Sequence, residues 1–116
     1  MNSMNLAEII EKLGLTILTE EKDFSGIIPT GGYTSDLLSC VMAGATHGCI
    51  WVTLQAHSNI IAVAALDEVS AVIITEGAMP DAGTIARANQ EGVILLSTAE
   101  PSFPVVGKLW ELGVKA

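Results

Sequence analysis

The chain is 116 residues long, half of them hydrophobic and 16% charged, with thirteen acids against five bases and a formal charge of −8. The cations Lys12, Lys22, Arg87, Lys108 and Lys115 are scattered rather than clustered, which speaks against nucleic acid and against an anionic membrane surface as partners. No apolar run reaches membrane-span length and no basic, hydrophobic leader is present, so the expectation is one soluble, cytoplasmic domain over residues 1–116.

The charged share lies below the usual value of about 25%, leaving more apolar surface than a small monomer ordinarily hides. Self-association, in the simplest case a homodimer, would cover it, since a standard interface removes about 800 Å² per partner from water.

In chain order, Leu6, Ile9, Ile10 and Leu13 recur at helical spacing, with Asn5 and Glu8 placed to cap the start and Gly14 to stop the helix. Leu15–Leu18 reads as a short strand and the polar stretch Thr19–Ser25 as a surface loop. Gly26–Pro29 reads as extended but short, with Pro29 keeping it away from a central strand position. Thr30-Gly31-Gly32-Tyr33 reads as a tight turn opening a helix, with Leu37, Leu38, Val41 and Met42 as its apolar stripe and Asp36 in its first turn.

The second half is regular. Ile50–Thr53, Val72–Thr75 and Ile94–Ser97 are apolar runs that each end in a hydroxyl residue, spaced 22 positions apart. Helical patterns follow them at Ile60–Leu66, Ala82–Asn89 and Val105–Leu112. Strand and helix alternating in this way predict an α/β fold, a compact three-layer sandwich around a mostly parallel sheet of about four or five strands.

In such sheets ligands gather beyond the carboxyl ends of the strands. Thr53, Gln55, His57 and Asn59 lie there after the first run, Thr75 after the second and Ser97 after the third. With Thr30, Gly31, Gly32 and Asp36 they form the candidate ligand site, on the expectation that the glycine pair lies at the same edge. A turn alone and a turn in contact with a small or anionic ligand both account for that pair.

Catalytic motifs are missing. The one Gly-Lys pair, Gly107-Lys108, has Ser102 where a phosphate loop needs glycine and Leu109 where it needs a hydroxyl, and no GxGxxG occurs. His57 with Glu76, Glu100 or Asp36 would be the acid–base pairing to consider; a histidine that caps a helix or bonds a loop is the plainer role. His47 belongs to a glycine-bearing turn. Cys40 and Cys49 have neither metal-knuckle nor disulfide-framework spacing and read as small buried hydrophobes. Trp51 and Trp110 read as core or dimer packing. No metal and no cofactor is expected, and no enzyme activity.

Thr30-Gly31-Gly32-Tyr33, Ser35–Ser39, Val41-Met42, Trp51-Val52-Thr53-Leu54-Gln55, His57, Asn59-Ile60, Ala62-Val63-Ala64 and Leu112-Gly113 together resemble the DRTGG domain family. Ile28-Pro29 stands where the naming motif has Asp-Arg. The resemblance implies the α/β fold of the N-terminal domain of HPr kinase/phosphorylase, related to the small N-terminal domains of Mur ligases. Relatives of this kind occur beside CBS domains, which implies a regulatory module that binds a small ligand, a nucleotide among the candidates, and acts through a partner enzyme. The alternative is a pure assembly subunit of a metabolic enzyme system, with no ligand.

Overall fold

Asn5 caps the first helix reciprocally: its Oδ1 accepts from the Glu8 backbone N–H at 2.9 Å while Glu8 Oε1 accepts from the Asn5 N–H at 3.0 Å. This is the box that the Asn5/Glu8 spacing predicts. The computed structural model describes residues 4–115. Helix α1 spans Leu6–Leu13 and ends at Gly14, whose φ of 64° is the left-handed stop that glycine adopts without strain. There follow β1 (Thr16–Ile17), a single 3-10 turn (Phe24–Gly26), β2 (Gly32–Thr34), α2 (Leu38–Gly44) and β3 (Ile50–Thr53). Helix α3 (Asn59–Asp67), β4 (Ala71–Ile74), α4 (Ala82–Glu91), β5 (Leu95–Ser97) and α5 (Ser102–Glu111) complete the chain.

The five strands form one sheet in the order β1-β5-β4-β3-β2. Strands β2 to β5 run parallel, while β1 pairs antiparallel with β5 through Thr16 opposite Ser97 and Ile17 opposite Leu96. One face carries α1 and α5, packed on Ile50, Val52, Ala71, Ile73 and Leu96. The other carries α2, α3 and α4, packed on Trp51, Val72, Ile74 and Leu95. Every residue of β3 and β4 is therefore buried, which is why those strands read as unbroken apolar runs. Each fully buried Val, Leu or Ile contributes about 1.5–3 kcal/mol of transfer free energy. The three-layer α/β sandwich stands as the alternation of strand and helix predicts.

Five local readings are corrected. Gly31 and Gly32 do not make a turn at a helix start: neither has positive φ, and Gly32–Thr34 is a strand, aligned with Ile50–Val52. Gly26–Pro29 lies outside the sheet. Helix α2 begins only at Leu38, so Asp36 precedes it, and Leu37 and Met42 face outward rather than inward. Cys49 is buried as expected but Cys40 is exposed. Thr19, placed in a surface loop, is buried, because its hydroxyl accepts from the Leu95 N–H at the sheet's rim.

Candidate functional site

Parallel strands deliver their carboxyl ends to one edge, and there the loops are tied together. Asp36 reaches back from the loop after β2: its Oδ1 accepts from the Thr53 hydroxyl and from the Leu54 backbone N–H, both at 2.8 Å. The Trp51 indole N–H donates to the Ser35 carbonyl at 2.9 Å and Gln55 Nε2 to the Asp36 carbonyl at 3.1 Å. The loop between β2 and α2 is thus pinned over the end of β3.

The tie continues across the sheet. The backbone N–H and the hydroxyl of Thr75 both donate to the Thr53 carbonyl, at 2.9 and 3.3 Å. The same hydroxyl shares a 2.6 Å hydrogen bond with Ser102 Oγ, at the start of α5. Glu76 holds a φ of 63°, uncommon for a residue with a side chain. Its N–H donates to the Glu100 carbonyl and its carboxylate accepts from the Ser102 N–H, at 2.9 and 3.1 Å. A carboxylate at a helix N-terminus is favoured by the helix dipole.

On the rim, His57 and Asn59 are exposed and Gln55 is half-buried. His57 Nδ1 accepts from the Asn59 backbone N–H at 3.2 Å, capping α3, and its Nε2 is left as the ring's proton carrier in the neutral form. Among the described residues no hydrogen bond or ion pair joins His57 to Glu76 or Glu100, since Glu76 is held by Ser102 and Glu100 lies 3.5 Å from Lys108 Nζ. The neighbouring Asp81 caps α4 by accepting from the Thr84 N–H at 2.8 Å. That backbone bond, then the Thr84 hydroxyl, hold its carboxyl below the ordinary range.

Asp36, Thr53, Gln55, His57, Asn59 and Thr75 thus meet at one edge, and Ser97 ends β5 there, buried. Thr30, Gly31 and Gly32 lie at the other end of the sheet, beside the start of β3. Thr30 Oγ1 donates to the His47 carbonyl at 2.8 Å and its N–H to the Gly48 carbonyl at 3.0 Å. Gly48 has a φ of 82°, and a Cβ there would stand 3.0 Å from the Thr30 methyl. The Thr-Gly-Gly segment therefore fastens β2 to the turn before β3, and the convergence of four segments expected at the carboxyl edge is a convergence without it. His47 is solvated and paired with Glu68 at 2.8 Å. Ser102 is the member that sequence reasoning missed; Pro101 just before it, a residue that commonly precedes or opens helices, is the signal that marks its place.

Among the described residues, two of the clefts lie away from this edge. One of about 120 Å³ is lined by Gly32, Thr34, Val52, Val106, Trp110 and Val114, with Tyr33 and Leu109 beside them. The other, of about 260 Å³, lies between the ends of α3 and α4. Among the described residues no group of three His, Cys, Asp or Glu side chains is placed to hold a metal ion. No helix among them is long and apolar enough to cross a membrane.

No family model matches the chain, and no curated protein matches it. Among solved structures, it is similar to the CBS and DRTGG domains of the regulatory region of Clostridium perfringens pyrophosphatase, complexed with its activator diadenosine tetraphosphate. The TM-score is 0.77 at 18% identity, over 97% of this chain and 50% of that one. The chain therefore spans half the length of the structure it matches. At that identity the likeness establishes the fold, an α/β fold shared with that DRTGG-containing regulatory region.

Proposed function

We propose that this chain is a non-catalytic regulatory module that takes a small ligand at the carboxyl edge of its sheet and acts through a partner protein. The observation that carries this reading is the network in which Asp36, Thr53, Thr75, Glu76 and Ser102 tie four loops together beneath the half-buried Gln55 and the exposed His57 and Asn59. A ligand seated on that rim would bias four loops at once, which is what a sensor requires. The hydroxyls that a hydrolase or transferase would use as nucleophiles are instead engaged in holding the loops.

A nucleotide is the first ligand to test, because the pyrophosphatase region that shares this fold is described with a nucleotide activator. Asp36, Glu76, Asp81 and Glu100 make the rim acidic, so a nucleotide would enter by base and ribose or as its magnesium complex. Thermal unfolding should be followed with AMP, ADP, ATP, GTP and diadenosine tetraphosphate, each with and without Mg²⁺. At a hundred times its dissociation constant a ligand adds about 2.7 kcal/mol of stability. Absence of any shift would remove the nucleotide.

The second reading is an assembly subunit without a ligand, in which the same fold docks a metabolic enzyme. Leu37, Met42 and Trp110, all about half exposed or more, favour it. Co-purification of an enzyme from the native host, together with silence in the ligand screen, selects this reading. On either reading the apolar excess supports self-association.

A further inference from the structure

We propose that the outer edge of β2 seats a second copy of this chain, antiparallel through Gly32–Thr34, so that two five-stranded sheets become one. The proposal rests on the self-association just inferred and adds where it happens.

Among the described residues, strand β2 ends the sheet, with β3 on one side and no strand on the other. The Ile50 N–H donates to the Gly31 carbonyl at 2.9 Å, so in the parallel ladder Tyr33 turns its backbone groups to β3 while Gly32 and Thr34 turn theirs outward. A two-fold axis at Tyr33, normal to the sheet, sets Gly32 of each copy opposite Thr34 of the other. Each such pairing exchanges two backbone hydrogen bonds. The devices that ordinarily blunt an edge are missing from this strand: Gly32-Tyr33-Thr34 has no charge, no proline and no bulge.

The flanks supply apolar area. On one face the cleft of about 120 Å³ opens beside the edge, under Val106, Val114 and the Trp110 ring, which is 55% exposed. On the other face Leu37, just before α2, and Met42, on it, are exposed. Because the axis is normal to the sheet, α5 of one copy meets α5 of the other and α2 meets α2, so each apolar group finds its own counterpart.

Charge selects a second copy over another occupant. At −8 per chain most self-contacts would oppose acids, whereas Pro29–Ser35 is uncharged and Asp36 is turned onto Thr53. At the rim of the cleft stands a cation, Lys115 Nζ, 5.3 Å from the Trp110 ring centre. A basic partner would be drawn to the acidic faces instead.

The test is mass by light scattering and dissociation by analytical ultracentrifugation. Wild type should have twice the chain mass. Thr34→Pro removes an outward N–H that β3 does not use, and Trp110→Glu places a charge in the seam. Each should weaken the dimer at least about tenfold, with circular dichroism unchanged. Thr34→Val, which loses the hydroxyl but keeps the N–H, and Leu66→Glu, on the exposed face of α3, should leave it intact. A monomeric wild type overturns self-association and this seam together. A dimer that survives both Thr34→Pro and Trp110→Glu, or that Leu66→Glu dissociates, overturns the seam alone. The ligand screen is independent of all these results.

Discussion

Asp36 and Thr53, seventeen residues apart, are joined by a 2.8 Å hydrogen bond from the Thr53 hydroxyl to Asp36 Oδ1, and the same oxygen accepts from the Leu54 N–H. One carboxylate oxygen thereby closes the loop after β2 onto the end of β3. Hydrogen bonds to a charged group contribute about 1.5–3 kcal/mol, so Asp36→Ala should cost about that much in urea unfolding. Asp36→Asn, which retains an acceptor oxygen, should cost less than half of it. Equal stability of Asp36→Ala and wild type would show that the tie is idle.

Gly44 sets two rules against each other. It closes α2, where alanine ordinarily stabilises by about 1 kcal/mol over glycine. Yet a Cβ there would lie 2.6–2.8 Å from the hydroxyl and ring carbons of Tyr33, whose O–H donates to the Cys40 carbonyl at 3.1 Å. Gly44→Ala must displace that ring, and overpacking costs of about 1–3 kcal/mol exceed the gain in propensity. Thermal unfolding should show net destabilisation. In Gly44→Ala/Tyr33→Ala the penalty for alanine at 44 should vanish, since the atoms it meets are gone.

The apolar runs at Ile50, Val72 and Ile94 were legible because a strand covered on both faces needs no polar alternation. Helix α1 was legible because its cap is local: Asn5 and Glu8 bond each other. Strand β2 was not, since Gly31-Gly32 carries the composition of a turn and becomes a strand through distant partners, Ile50 for Gly31 and Gly48 for Thr30. Val114 Cγ1 stands 3.7 Å from where a Gly32 Cβ would be, so residues far apart in sequence lie side by side there. Asp36 was recognisable as chemistry, but its place before α2 rather than in it follows from Thr53 and Leu54. The tie from Thr75 to Ser102 crosses from β4 to α5, and no local pattern encodes such a crossing.

The two thiols should separate in reactivity. Cys40 is exposed and Cys49 is buried, so a disulfide reagent in native buffer should titrate one thiol quickly and the second only as the fold opens. Burial pushes the Cys49 thiol up. A raised folded value means that the stabilisation is complete below the unfolded thiol's value of about 8.5 and is lost as pH rises from there through the folded value. Wild type should therefore lose stability faster than Cys49→Ala as pH rises above about 8.5. Parallel pH profiles for the two proteins would contradict this account.

Asp81 gives the opposite pH dependence. Its carboxylate accepts from the Thr84 N–H at the start of α4, and that bond, with the Thr84 hydroxyl, lowers its folded value. A depressed carboxyl stabilises fully above the unfolded value of about 3.9, and the stabilisation is lost as pH falls from there through the folded value. Asp81→Asn keeps a capping oxygen without the charge, so wild type should lose stability relative to it below about pH 4. Asp81→Ala should lose the cap at every pH and fray α4 first, read as faster amide exchange at Thr84 and Ile85. A carboxyl resonance of Asp81 titrating at the ordinary aspartate value would mean that the cap does not favour the ionised form, and the difference between wild type and Asp81→Asn should then not depend on pH.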